Sequence, residues 1–436
     1  MFAAGWADEP ASHAKLWYDK VVGGSRSILG KGAIVVIPVV GLDVAKGATE
    51  GQAFLDKGQP YGPHFQILHT TAGFAQFEAR LQDVARQAGQ PPTMVLESTG
   101  HYHIPIVRFL EEHGYAYVLL NPLIPHQAKQ AASLRKVKTD AVDAYRLGTL
   151  FYKEELEPAR RRSGALLDLR QLTRQREAVT GLYVQTKLQF RAILDAVFPE
   201  YVGVFGALYS QVSLKTLAAF STAQAVLSTT DATLVQTIRD ACPSRPVAWA
   251  AAKAGRLRDA AERNPVRTAD VPHQAFSLRL YIRMIGEYQA HLKALDDEIA
   301  GLAQGIEACR LIQSIPGIGS TLAAAIIAEI GEITRFDNAR KLVAFAGVDP
   351  RVHESGQFKA TVNRITKRGA YRLRHALFLA VLCSLRAAGS KRLQAFYHTK
   401  RAAGKPHKVV VVACINKLLR WIYTVLTRRE AFVDIA

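Results

Sequence analysis

The chain has 436 residues, enough for two or more domains, and 49% hydrophobic with 21% charged residues excludes a disordered polymer. Lysine and arginine outnumber aspartate and glutamate 56 to 37, a formal charge of +19 with pI about 9.8, so a polyanionic partner is favoured: DNA, RNA or an anionic membrane. No apolar run reaches the length of a spanning helix. The run from Ala33 to Leu42 is short and contains Pro38, so it reads as a core strand rather than an anchor. Cys242, Cys309, Cys383 and Cys414 show no paired metal-ligand spacing, which argues against structural zinc and for a reducing cytoplasm.

In chain order, residues 1–33 are irregular and rich in Gly, Ser and Ala, and are expected to be a tail or the product of an early start. Residues 34–158 alternate strand and helix patterns. A strand over 34–42 ends at Asp43. GQAFLD and HFQILHT predict two more strands joined by the loop KGQPYGP. Thr70 or Thr71 caps a helix over FAQFEARLQDVARQAG. TMVLE, ending at Glu97, is a strand, HIPIVRFLEEHG a helix, YAYVLLNP a strand, and a long helical segment follows from about Gln127 to Glu155. The order βββαβαβα is that of a ribonuclease-H-like, three-layer α/β fold.

Residues 159–310 change to a mostly helical pattern, opening on an arginine-rich stretch (160–176). Ile285, Tyr288, Leu292, Leu295, Ile299, Leu302 and Ile306 recur at spacings of 3 and 4, a heptad seam. Either an intramolecular helix pair with 165–197 or a dimerising coiled coil explains it. The stretch 199–275 reads as a small helical insertion between the two long helices. Residues 311–436 form a basic, largely helical domain, with Trp421 and Tyr423 expected in its core.

Four acids carry the chemical signal: Asp43 in GLDVAK, Glu97 in VLESTG, and Asp140 and Asp143 in KTDAVDAYRLG. The first two cap apolar strands, and the last two, three apart on a helix, share one face. Gathered carboxylates repel one another, and divalent cations relieve that repulsion, which points to phosphoryl transfer on nucleic acid. Asp140 and Asp143 could instead pair with Lys136, Lys138 or Arg146 on a solvated helix face. His101 and Tyr102 read as packing or helix-start residues, with contact near the acids as the alternative. Ser355-Gly356 alone is an ordinary turn. From Lys359 to Arg374, however, the basic residues Lys359, Arg364, Lys367, Arg368, Arg372 and Arg374 occur with no acid among them, which favours phosphate contact over a solvated helix face. SIPGIGSTLAAAIIAEIG resembles a helix-hairpin-helix turn. There Gly317 and Gly319 either expose helix-start N–H groups to a phosphate or simply make a tight connection.

The strings GLDVAK, LESTGHYHIPIVRFLEEHGYAYVLLNP and KTDAVDAYRLG resemble the amino-terminal half of the DEDD transposases of the insertion-sequence one-ten family. That family includes the eleven-eleven branch and the related Piv-type DNA invertases. IQSIPGIGSTLAAAIIAEIG, FDNARKLVAFAGVDPRVHESGQ, ITKRGAYRLRHALFLA and KPHKVVVVACINKLLRWIY are similar to its second half. The resemblance covers about 34–158 and 306–426. It implies a RuvC-like catalytic domain at 34–158, a helical and coiled-coil region at 159–310, and a serine-bearing, mostly helical transposase domain at 311–436.

By the same resemblance, Asp43, Glu97, Asp140 and Asp143 hold magnesium or manganese, and Ser355 attacks a phosphodiester, leaving a transient phosphoserine link and a free hydroxyl. The chain is then expected to be a transposase and recombinase of insertion-sequence DNA. Its implied partners are donor and target double-stranded DNA, a non-coding bridge RNA and further copies of itself, with the tetrad of one protomer meeting the serine of another. No membrane partner is expected, and the location is the cytoplasm, at the nucleoid. A RuvC-like junction nuclease using water and a Piv-type invertase remain as alternatives, as does a non-catalytic nucleic-acid-binding relative.

Overall fold

The computed structural model describes residues 37–98, 100–120, 139–153, 164–265, 272–350, 354–355, 358–359, 364–367, 369–386 and 388–434. Its chain divides into two compact units, residues 1–161 and 162–436. The tail expected at 1–33 lies outside the described residues.

The first unit is a five-stranded sheet with helices. Strands β1 (Val39–Val44), β2 (Ala48–Asp56) and β3 (Gln59–Leu68) form an antiparallel meander. Helix α1 (Thr71–Ala88), strand β4 (Thr93–Glu97), helix α2 (Ile104–Glu112), strand β5 (Tyr117–Leu120) and helix α3 (Asp140–Lys153) follow. The sheet order is β3-β2-β1-β4-β5, with β4 parallel to both β1 and β5. The loop expected over KGQPYGP is shorter than predicted. Gly58 (φ +74°) closes a tight turn after Lys57, and β3 starts at Gln59. Pro60 and Pro63 are tolerated because β3 is an edge strand, where a missing N–H breaks no ladder.

The apolar run of β1 is buried on both faces, as a central strand must be. Val40 and Leu42 join Met94, Leu96, Phe77, Leu81, Ile106 and Leu110 in a core beneath α1 and α2. On the opposite face, Val39 joins Val95, Val118, Leu120, Leu147 and Leu150 beneath α3. Thr70, not Thr71, caps α1: its hydroxyl accepts from the Gly73 amide at 3.1 Å, and Gly89 ends the helix at φ +74°.

In the second unit, α4 (Gly164–Val197) is followed by α5 (Gln211–Ala219), α6 (Ala223–Leu227), α7 (Asp231–Ala241), α8 (Val247–Arg263) and α9 (Pro272–Gln304). Helices α4 and α9 run antiparallel: Arg176 pairs with Asp296 at 2.6 Å, and Gln289 donates to the Tyr183 hydroxyl at 3.2 Å. The two helices thus form an intramolecular pair, with the seam residues Ile285 and Ile299 buried and Tyr288, Leu292, Leu295, Leu302 and Ile306 half-buried. Beyond the far end of the pair, α5–α8 close a separate core around Phe190, Phe198, Tyr201, Leu217, Leu234 and Leu257.

At the near end, Leu166, Leu169, Ile299 and Ala303 share one core with the C-terminal segment. That segment comprises α10 (Glu307–Gln313), α11 (Ser320–Ile330), α12 (Ala339–Ala346), β6 (Glu354–Ser355), β7 (Phe358–Lys359), α13 (Tyr371–Ser384), α14 (Lys391–Ala402) and α15 (His407–Arg428). Buried Glu329 of α11 is gripped by Arg174, at 2.8 and 3.1 Å, and by Arg170 at 3.5 Å, which fixes α4 on α11.

Helix α15 corrects one sequence expectation. By length and composition it is apolar enough to cross a membrane. Reading uninterrupted apolar runs overlooked it because Lys417 and Arg420 break the run. Its Val410, Cys414, Leu418 and Ile422 are fully buried in the protein core, which accounts for the apolarity without lipid.

Candidate active site

Strand alternation and helix packing decide where the four acids lie. Along β1, Val39, Gly41 and Asp43 point to the face that α3 covers. Gly41 is opposite Val95 and Leu42 opposite Leu96, so the register carries Asp43 beside Glu97 at the carboxyl ends of two adjacent parallel strands. Val95 lies in the core beneath α3, and Glu97, two residues on, shares its face.

Helix α3 crosses β1 in close backbone contact. A Cβ on Gly41 would strike the Ala144 carbonyl oxygen and come within 2.5 Å of the Gly148 nitrogen. A Cβ on Gly148 would meet the Phe54 ring. At the other end of the helix, the Tyr152 hydroxyl donates to the Ile37 carbonyl at 2.6 Å, and burial raises the Tyr152 phenol well above its ordinary pKa, so it stays a donor. These contacts run α3 antiparallel to β1 and carry its first turn toward the Asp43 end. Asp140 lies about 6 Å along the helix from Ala144, and Asp43 about 7 Å along the strand from Gly41. All four acids thus lie at one edge of one sheet face.

The first turn of α3 suits acids. Thr139 accepts from the Val142 amide at 3.3 Å, and both aspartates sit at the positive end of the helix dipole. Asp143 is 7% exposed and pairs with Arg146 at 3.3 Å. Asp43 and Glu97 are half-buried, and Asp140 is exposed. The alternative partner Arg146 is therefore real for Asp143, while Lys136 and Lys138 lie outside the described residues. The donor set, four carboxylates with hard oxygen atoms, suits Mg²⁺ or Mn²⁺ rather than zinc. As they stand, no three of these side chains are close enough to hold one ion, and no other His, Cys, Asp or Glu cluster among the described residues is.

Ser355 lies in the second unit, in β6, where Glu354–Ser355 pairs antiparallel with Phe358–Lys359. Arg368 and His353 fall outside the described residues, as does the Lys359 side chain. Among the described residues the basic stretch is not one helix, since α13 starts only at Tyr371. Among the described side chains, two of the basic residues have protein partners. Arg374 donates to the Ala346 carbonyl at 2.8 Å and the Gly369 carbonyl at 3.3 Å, closing the end of α12. Arg372 pairs with Glu177 at 2.6 Å. Arg364 and Lys367 are exposed. Gly317 (φ +99°) is a packing glycine: a Cβ there would lie 2.5 Å from the Ser384 nitrogen. Gly319 precedes α11 with open space where a Cβ would sit.

The sequence singled out the four acids but not what sets their positions. Gly41 and Gly148 were inside the quoted strings GLDVAK and YRLG, yet only the contact of α3 with β1 gives them a role.

A DEDD, IS110-type family model described as "Transposase" matches residues 40–199, and one described as "Transposase IS116/IS110/IS902 family" matches residues 309–398. The transposase for insertion sequence element IS1111A of Coxiella burnetii is 34% identical over 34% of this chain and 39% of its own length. The pilin gene-inverting protein of Moraxella bovis is 32% identical over 28% of this chain and 38% of its own. An IS900 insertion-element protein of Mycobacterium paratuberculosis is 26% identical over 66% of this chain and 71% of its own. The chain thus spans well under half of the first two relatives. With one transposase model matched in each half, this chain belongs to the IS116/IS110/IS902 transposase family.

Proposed function

We propose that the protein is a DNA transposase and recombinase that cuts and exchanges strands through Ser355, assisted by divalent cations at Asp43, Glu97, Asp140 and Asp143. The observation that carries this reading is the convergence of the four acids on one sheet edge: two on adjacent parallel strands and two in the first turn of a helix locked to β1 through Gly41 and Gly148. The order β3-β2-β1-β4-β5, with an antiparallel meander before the parallel strands, supports a RuvC-like reading of this unit.

When bound, Mg²⁺ or Mn²⁺ neutralises phosphate charge and stabilises the oxygens that gain charge during transfer. The four carboxylates orient that charge. Ser355 supplies the attacking hydroxyl: its oxygen bonds to phosphorus, the bond to one deoxyribose oxygen breaks, and that oxygen leaves as a hydroxyl. Joining reverses the step with another strand's hydroxyl, so the bond energy is retained in the phosphoserine. Donor and target DNA are the substrates, and the nucleoid is their location. A bridge RNA that selects sites and an oligomer in which the acids of one protomer serve Ser355 of another complete the proposal.

The test is trapping of a protein–DNA adduct on donor-end DNA, with and without the element's flanking transcript. Wild-type protein forms a denaturation-resistant adduct with Mn²⁺, and Ser355→Ala forms none. Cleavage by Ser355→Ala at the wild-type rate would instead establish a water-using nuclease. Equal recombination without the transcript would remove the RNA from the account.

A further inference from the structure

The charge of this protein is not spread along the chain. Between Ser355 and Arg429 there are seventeen lysines and arginines and no aspartate or glutamate. Elsewhere 39 basic residues meet 37 acidic ones, so nearly the whole net charge of +19 resides in this stretch. Helices α14 and α15, the turn joining them and Arg429 just after α15 carry ten of the seventeen. Eight of those ten are exposed, and Lys400 and Lys417 are half-buried. Among the described residues none of the ten forms an ion pair, whereas Arg170, Arg174, Arg176 and Arg372 in the same unit all do.

The cations are also ordered. Lys400 stands 5.6 Å from the Phe396 ring centre, Lys417 4.5 Å from the same ring and 5.7 Å from Trp421, and Arg392 5.6 Å from Trp421. Rings and cations therefore alternate across the antiparallel pair, and Trp421 is backed by Phe432 at 4.8 Å. On α15, Lys417, Arg420 and Arg428 share one face with Trp421. The rings are half-buried and covered by cations, so they hold charge in place rather than offer a surface for unstacked bases.

We propose that the α14–α15 hairpin is a docking surface for the phosphate backbone of duplex DNA, with Arg392, Lys400, Lys417 and Arg420 as its centre. The inference rests on the proposed function only for the choice of DNA. Charge complementarity supplies the rest. From Arg392 to Lys400 the row spans about 12 Å, the rise of three to four phosphates on one strand. The apolar side of α15 is consumed in the core, which leaves only its charged side to a partner. Most of the hairpin lies beyond residue 398, where the second family match ends.

The experiment measures binding of the full-length protein to a fluorescent duplex of random sequence in EDTA, from 50 to 200 mM salt. The variant carries Arg392→Gln, Lys400→Gln, Lys417→Gln and Arg420→Gln. A control with equal charge loss carries Lys215→Gln, Arg239→Gln, Arg256→Gln and Arg263→Gln. Each phosphate contact contributes about 0.9 to the salt slope, so losing four lowers it by about 3.6, and the wild type's affinity falls about 100-fold more than the variant's across that range. The control keeps the wild-type slope.

Should the fourfold variant melt early, Lys405→Gln with Lys408→Gln, two exposed cations in the turn, is expected to lower the slope by about 1.8. A variant slope equal to the control's overturns the proposal. So does loss of binding to A-form RNA duplex or to anionic vesicles with duplex DNA binding intact. Because EDTA suppresses cleavage, hairpin-dependent binding without any Ser355 adduct would sink the proposed reaction alone, and an adduct with an unchanged salt slope would sink this inference alone.

Discussion

Gly41→Ala tests whether the contact of α3 with β1 sets the acids. The added methyl would meet the Ala144 carbonyl oxygen and stand 2.5 Å from the Gly148 nitrogen, whereas real Cβ contacts stay above 3.0 Å. Both obstacles are backbone, so no side chain can swing aside. Helix α3 must lift by about 0.5 Å or more, and overpacking of this kind costs about 1–3 kcal/mol. The lift carries Asp140 and Asp143 away from Asp43 and Glu97. Misplacement on the order of 1 Å can cost about 100-fold in rate, so a ten- to hundredfold loss of strand cleavage is expected. The assays are urea unfolding and Mn²⁺-dependent cleavage of donor-end DNA. Gly255→Ala, inside a helix with open space around it, is the control: cleavage is unchanged and stability does not fall, rising by up to about 1 kcal/mol from helix propensity. A Gly41→Ala protein that unfolds and cleaves like wild type would refute the reasoning.

Three further outcomes follow from the packing. Glu329→Gln leaves Arg170 and Arg174 without their buried carboxylate. Because both arginines are about a third exposed, the loss is about 2 kcal/mol by denaturant unfolding, less than for a fully buried pair. Arg374→Ala frees the Ala346 and Gly369 carbonyls, so it lowers stability by about 1–2 kcal/mol while leaving the salt slope of DNA binding unchanged. Burial pushes the Cys309 thiol up to about 12 and the Cys414 thiol up to about 11. The folded protein thus favours the protonated thiols. Their contribution is constant below the ordinary value of about 9 and declines as pH rises toward 11 and 12, which unfolding measured from pH 8 to 11 detects. Over the same range thiol reagents reach Cys309 and Cys414 only after unfolding.

The sheet was legible because β1 and β4 announce themselves as apolar runs ending in acids, and a threonine cap at 70 or 71 was readable, with the structure choosing Thr70. The heptad seam was legible as a seam, but its partner was not. Period alone does not say which surface faces Ile285 and Ile299, and that surface is α4 of the same chain. Charge gave the sign of the 359–374 stretch without what lies across from it, so Arg372 and Arg374 read as phosphate ligands when Glu177 and two carbonyls hold them. Gly317 was ambiguous for the same reason: the approach of Ser384 depends on packing 67 residues away in the chain. Of the candidate site, residue identity and strand-end placement were readable, while the glycine contact that orients α3 was not.

Anomalous diffraction from crystals grown with Mn²⁺ tests the central claim most directly. The account predicts manganese at the edge of the sheet face covered by α3, bound by Asp43, Glu97 and at least one of Asp140 and Asp143, with the Asp143–Arg146 pair loosened. Crystals that bind manganese only elsewhere, or that show these four carboxylates still apart at saturating metal, would contradict it.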